Sequence, residues 1–233
     1  MKISAFAISE ITLGKHNVKE TRLDQADKLV KAKKKTYPQV EMVGQEGAFE
    51  ADVIIIPAEA KMDLILQDLD FAETRLAKEP AENEKIILNK IKAVLEKEGF
   101  ISSVGLTAAE KEVISGYGLL TLKPVVVINQ EELQDMGSLL AKVLAQSGYL
   151  CFLTVGDKEN RAWLIKKGTT AWEAAGVIHS DIQQGFIRAE IISFADFIAC
   201  GGETQAKQAG KMRLELKDYI MQDADLVNFR FNK

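Results

Sequence analysis

The sequence predicts an α/β region followed by a small α+β sheet domain, and three observations carry that reading. The runs at 52–57 (DVIIIP) and 123–129 (KPVVVIN) are continuous and β-branched, the mark of strands covered on both faces, as in a parallel sheet. Between them Met62, Ile65, Leu69, Ala72 and Leu76 recur at intervals of three and four, which sets them on one stripe of a helix. Beyond Ser147 and Gly148 the order becomes strand, strand, helix, strand, short helix, strand, the order of a small α+β sheet.

Each element follows from local chemistry. Residues 3–8 (ISAFAI) read as a short strand, and Thr21 with Asp24 forms a T-x-x-D capping box for a helix running through Lys34. Pro38 stops that helix, and 40–43 (VEMV) is a second strand. The stripe from Met62 to Leu76 is followed by a turn at Glu79, Pro80 and Ala81, then by a second stripe at Leu88, Ile91 and Leu95, with Gly99 just past its end. So short a turn zips the two stripes into an antiparallel, coiled-coil-like hairpin over 62–98. Thr107 and Glu110 cap a short helix, and another helix is expected near 132–146. In the second domain, strands at 150–155 and 161–165 flank a turn at Gly156. A capping box of Thr170 and Glu173 starts a helix packed by Trp172, Ala175 and Val177. The strand 186–192 (FIRAEII), a helix begun by Ser193 and Asp196, and strands near 213–216 and 226–231 complete the chain.

Composition bounds the function. With 233 residues, 47% hydrophobic and 27% charged, the chain buries one good core or two small ones. Residues 1–60 carry nine basic and nine acidic side chains and residues 151–233 eleven of each, so counterion release does not drive non-specific nucleic-acid binding by the whole molecule. Any RNA contact comes from a local patch, and no DNA partner is expected. Cys151 and Cys200 lack CxxC spacing and clustered histidines, which argues against a metal site or a disulfide framework. The opening MKISAFAISE is too brief for a secretory signal, and no run reaches eighteen apolar residues. A cytoplasmic protein without a membrane partner is therefore expected.

Phosphate-binding chemistry needs G-x-x-x-x-G-K-[ST] between a strand and a helix, because backbone N–H groups and the helix N-terminus hold the phosphates. The nearest stretch runs from Ser9 to His16, with Gly14 and Lys15 in place but Ser9 for the leading glycine and His16 for the hydroxyl residue. The Lys31, Lys33, Lys34 and Lys35 run reads either as a solvated helix end or as a phosphate contact. His179 has no second ligand near it and reads as a hydrogen-bonded structural residue. Asp181 reads as a turn residue, and Trp163 and Trp172 as core.

From Phe152 onward the text FLTVGDKENRAWLIKKGTTAWEAAGVIHSDIQQGFIRAEIISFADFI, then AKQAGKMRLELKDYIMQDADLVNFRF, closely resembles the C-terminal TGS-type domain of the YchF family, the Obg-like ATPases. The segment 22–43 resembles the family's segment after switch I, and Gly44 stands where the Asp of its magnesium-binding D-x-x-G motif is expected. Asn129 to Glu132 fits the N-x-x-E pattern with which the family reads adenine. The same residues also read as a strand end followed by a helix start. The resemblance implies residues 1–147 as a degenerate P-loop G-domain-like region including the hairpin 62–98, and residues 148–233 as a TGS-like, ubiquitin-like β-grasp domain. It implies a non-catalytic binding protein, with no catalytic or metal-binding residues, that contacts RNA, the ribosome or a protein partner. The alternative is a regulatory protein that binds ATP or GTP through Asn129 and Glu132 without efficient hydrolysis, and a third reading makes the hairpin a protein-contact arm. Arg161, Lys166, Lys167, Arg188, Lys211 and Arg213 are the candidate RNA-binding cations, provided that they share a face; otherwise they alternate with Asp157, Glu159, Glu190 and Glu215 as a mixed solvated surface. Leu216 and Ala224 occupy places where the family usually has glycine.

Overall fold

A computed structural model describes residues 1–232. Two compact units emerge, one from residues 1–16 and 40–147, the other from residues 17–39 and 148–232. β1 (Lys2–Ala5) and β2 (Gly14–Asn17) open the chain, followed by α1 (Thr21–Leu29), β3 (Lys34–Thr36), β4 (Gln39–Val43) and β5 (Val53–Pro57). The helices α2 (Lys61–Leu76), α3 (Glu82–Leu95) and α4 (Ala108–Val113) precede β6 (Val125–Ile128) and α5 (Met136–Gln146). Then come β7 (Tyr149–Thr154), β8 (Glu159–Lys166), α6 (Ala171–Ile178), α7 (Ser180–Gln184) and β9 (Phe186–Ile192). The last elements are α8 (Phe194–Cys200), α9 (Glu203–Gln208), β10 (Arg213–Glu215) and β11 (Leu226–Phe231).

The first unit rests on a five-stranded sheet in the order β2-β4-β1-β5-β6, with β1 parallel to β4 and β5, and β5 parallel to β6. Val53 through Ile56 are wholly buried, since β5 has neighbours on both edges and side chains packed on both faces. That double coverage is why the run is continuous rather than alternating. Above the sheet, α2 and α3 form the expected hairpin, in which Ile65 and Ala72 meet Ile87, Leu88, Ile91 and Leu95. Its seam is broader than a two-helix zipper, because Ile101, Leu106, Ile114 and Leu119 join the same cluster. Met62, expected on the buried stripe, is exposed. The buried face of α2 is rotated toward Leu64, which packs on Ile54 and Ile56 of the sheet, and it takes in Asp68.

Asp68 is the polar member of that face. Its carboxylate accepts from the Leu120 N–H at 3.0 Å, the Thr121 N–H at 2.7 Å and the Thr121 hydroxyl at 2.6 Å, which pins residues 119–122 onto α2. Burial pushes its carboxyl above the usual range, against the pull of those donors.

The second unit is a six-stranded sheet in the order β10-β9-β11-β7-β8-β3. β7 and β8 form an antiparallel pair, β11 lies parallel to β7 and antiparallel to β9, and β10 closes one edge antiparallel to β9. One face of the sheet is covered by α6 and α7 over Phe152, Ile165, Ala189, Ile191 and Phe229. The other is covered by α1, α8 and α9, whose Leu23, Ala26, Phe197 and Ala206 pack on Leu153, Ala162 and Ile192. The capping boxes expected at Thr107 and Thr170 are formed, with both partners engaged.

Four local expectations are corrected. The first helix is capped by Glu20, not Thr21, and ends at Leu29 instead of running to Lys34. The lysine run is therefore not a helix end: Lys34 and Lys35 lie in β3, which pairs in parallel with β8. Tertiary donors and acceptors override the local pattern here, because Asn160 donates to the Val30 carbonyl and the Lys33 N–H donates to the Asp157 carbonyl, drawing the chain onto the sheet. For the same reason residues 17–39, expected within a region ending at 147, belong to the second unit. Trp172 and Val177, expected to pack α6, are exposed, since Ala171, Ala174 and Ala175 make its buried face.

Ala224 adopts φ 61° while its N–H donates to the Cys151 carbonyl at 2.7 Å. A Cβ in the left-handed region is strained, so Ala224→Gly is expected to stabilise the second unit by about 1 kcal/mol, read as a higher denaturant midpoint at unchanged slope.

Candidate functional site

The β3–β8 pairing creates the most chemically distinctive surface of the second unit. In register, Lys34 faces Glu159 and Thr36 faces Arg161, so two basic segments more than a hundred residues apart in sequence become neighbours. A groove of about 440 Å³ opens along this edge, lined by Lys34, Thr36, Tyr37, Arg161, Trp163 and Val177. The Arg161 guanidinium carbon stands 3.8 Å over the Trp163 ring centroid, and Arg161 makes no ion pair among the described residues. The indole is fixed in turn by its N–H bond to the Thr154 hydroxyl at 2.9 Å and by stacking on Phe152. A planar cation held against an aromatic ring presents its other face and its N–H edge to a ligand.

The groove's other charges are partly balanced. Glu159 accepts from Thr36 and pairs with Lys34 at 3.1 Å, and these contacts, led by the Thr36 hydroxyl, hold its carboxyl below the usual range. Lys35 turns to Asp24 at 2.6 Å, and Tyr37 donates to the same carboxylate. The sequence offers Lys34 only as one lysine of a run that could touch phosphate, and it does not single out Thr36 or Tyr37. The signal that could have found them is KKTY, in which a β-branched and an aromatic residue before Pro38 favour a strand over a helix end.

The six expected cations do not form one patch. Side chains alternate along a strand, so Arg161 lies on the α6 side with Trp163, and Arg213, in register with Ile191, lies on that side too. The strands β9, β11 and β7 separate the two. Lys166, paired with Tyr149, and Arg188, next to Ala189, point to the opposite side. Lys211 pairs with Asp196 at 3.2 Å, Arg188 approaches Glu190 at 3.9 Å, and Arg213 is shared by Glu215, Asp225 and the Tyr219 hydroxyl. Lys166 and Lys167 make no ion pair among the described residues, and Lys166 stands 5.8 Å over the Tyr149 ring.

The nucleotide-related positions lie in the first unit. Residues 6–13 join β1 directly to β2 with no helix between them, and Gly14, at φ 111°, begins β2 instead of a phosphate loop. Asn129 is exposed at the C-terminal end of β6. Glu132 accepts the Asn129 N–H at 2.8 Å and pairs with Lys142 at 2.7 Å, contacts that hold its carboxyl below the usual range, Lys142 first. Both carboxylate oxygens are thereby engaged, Oε2 by the Asn129 N–H and both by the Lys142 ammonium. His179 caps α7 by accepting the Asp181 N–H, and both side chains are exposed. Burial pushes the Cys151 thiol up to about 12, so it is inert as a nucleophile at neutral pH.

The C-terminal-domain model of the YchF GTPases, described as a protein of unknown function (DUF933), matches residues 149–232. A curated relative, the ribosome-binding ATPase YchF of Haemophilus influenzae, is 38% identical over 233 aligned positions that take in 73% of this chain and 64% of the relative. The chain belongs to the YchF family. The Bacillus subtilis ribosome-binding ATPase YchF is 53% identical over 85 residues, 36% of this chain and 23% of the relative. This YchF-family chain thus matches less than two thirds of the length of these relatives. In fold it is similar to the Schizosaccharomyces pombe YchF GTPase, with a TM-score of 0.77 at 18% identity, covering 99% of this chain and 97% of that one. No helix of the described residues is long and apolar enough to cross a membrane.

Proposed function

We propose that this chain is a non-catalytic YchF-like binding protein that contacts RNA on the ribosome through the β3–β8 groove of its second unit. The observation that carries the reading is Arg161, over the Trp163 ring and without an ion pair among the described residues; both lie in the part that matches the family's C-terminal domain, and Lys34 lines the same groove. Guanidinium and aromatic planes are the groups on which unstacked RNA bases stack, and the N–H edge of Arg161 suits a phosphate. The curated relatives are named as ribosome-binding, which supports the same partner.

Two finer structural readings accompany it. The strand order β8-β7-β11-β9-β10, with the first and last strands of that set parallel at its centre, supports a TGS-like β-grasp domain. The order β2-β4-β1-β5-β6 supports a remnant of a P-loop G domain. Direct joining of β1 to β2 supports the absence of phosphoryl transfer, because that chemistry depends on a lysine, a metal and a positioned water that a phosphate loop would organise.

The test is co-sedimentation with ribosomes across a salt series. Arg161→Ala is expected to weaken binding about tenfold and to lower the salt slope by about 1. Undiminished binding by Arg161→Ala, or ATP hydrolysis that disappears in Lys15→Ala, would sink the proposal. A nucleotide-binding alternative has Asn129 in its favour, exposed at the carboxyl end of a parallel strand where α/β sheets hold ligands. Calorimetry with ATP, GTP and adenosine separates it: saturable heat lost in Asn129→Ala selects that reading.

A further inference from the structure

The first unit holds a second concavity, of about 310 Å³, whose walls include Phe49, Phe71, Tyr117, Asp68 and Asp70. Phe71 and Tyr117 pack with ring centroids 5.2 Å apart at 46°. The Phe49 ring, mostly exposed, lies over Gly118, so close that a Cβ at 118 would come within 3.2 Å of it. Lys123 holds the segment that presents Phe49 by donating to the carbonyls of Ala48 and Phe49. Asp68 is almost wholly buried, and its only partners among the described residues are neutral donors. Asp70, at the rim, makes no ion pair among the described residues.

Three aromatic rings beside an uncompensated buried carboxylate are the chemistry that recognises an organic cation. Aromatic rings attract cations through the negative faces of their quadrupoles, and the carboxylate supplies the counter-charge that neutral donors give only in part. Tyr117 already draws one cation: the Arg75 guanidinium stands 5.8 Å from its centroid, with Glu84 as counter-ion, and Arg75 is not among the residues lining the cavity. We infer that this cavity is a binding site for an aliphatic ammonium group, held by Phe49, Phe71 and Tyr117 with Asp68 and Asp70 as counter-charges.

The whole 233-residue chain is titrated with choline, with butylammonium as a mimic of a lysine side chain, and with 3,3-dimethyl-1-butanol, the uncharged isostere of choline. The ring signals of Phe49, Phe71 and Tyr117 are followed by NMR. Saturable shifts are expected with an ammonium ligand at a dissociation constant of about 1–10 mM, with the neutral alcohol silent. The tighter of the two ammonium ligands tells whether the site suits a quaternary headgroup or a lysine side chain. Phe49→Leu and Asp70→Asn, both at exposed positions, are expected to weaken binding about fivefold and about threefold with the amide spectrum elsewhere unchanged. Equal shifts from the neutral alcohol, no saturation by about 100 mM of either ammonium ligand, or full affinity in Phe49→Leu would overturn the inference.

Discussion

Asp68→Ala is expected to lower the unfolding free energy by about 3–5 kcal/mol, the largest single loss among the substitutions considered. The side chain accepts three hydrogen bonds from Leu120 and Thr121 at a site almost closed to water. Deleting it strands two backbone N–H groups and one hydroxyl, each costing about 1–3 kcal/mol when buried without a partner. Little of that cost is recovered by collapse, because Leu64 and Ile65 beside it are already fully packed. Asp68→Asn keeps an acceptor oxygen and is expected to lose about half as much. Denaturant unfolding of the pair checks both. Equal midpoints for the wild-type and Asp68→Ala proteins would remove Asp68 from its place as the clamp on residues 119–122.

Asn160→Ala is expected to cost about 2–4 kcal/mol and to act locally. The amide is wholly buried at the C-terminal end of α1, where its NH₂ donates to Asp27 and to the Val30 carbonyl, both at 2.6 Å, and its oxygen accepts the Gly156 N–H at 3.0 Å. Those bonds turn the chain from α1 into β3, so removing them releases the segment that carries Lys34, Thr36 and Tyr37 into the proposed groove. Hydrogen exchange is the suitable readout: protection across 21–36 falls while β9 and β11 stay protected. Asn160→Asp is a sharper version, since it sets a second carboxylate against Asp27. Like-charge repulsion raises the folded-state pKa of that pair, so the deficit is greatest at neutral pH and shrinks as pH falls through the carboxylate range. Uniform loss of protection over the whole second unit would show that Asn160 does not act through this turn.

The groove illustrates why a site can be illegible in a sequence whose elements are mostly legible. Arg161 is visible as a candidate cation and Lys34 as one lysine of a run, yet nothing in the sequence joins the two, and Thr36 and Tyr37 carry no site signal of their own. Nothing local told the lysine run that a buried asparagine and the Asp157 carbonyl, over a hundred residues away, would offer it a strand partner. The sequence leaves open whether the six cations share a face, for a related reason. Strand alternation is local, but which face each strand presents depends on register with its neighbours, and register is set by contacts distant in sequence.

By itself the sequence determined what rests on short-range physics. The continuous runs in β5 and β6, the stripes of α2 and α3, the capping boxes at Thr107 and Thr170, and the family likeness of residues 152–231 all depend on residues a few positions apart. Only the tertiary structure decided that residues 17–39 join the second unit, that Asp68 turns inward with α2, that Trp172 faces water while Trp163 carries Arg161, and that Phe49 meets Phe71 and Tyr117 around one cavity. Each of those outcomes turns on a buried polar group finding a distant partner or on one packed face competing with another, and neither is encoded within a single turn or strand.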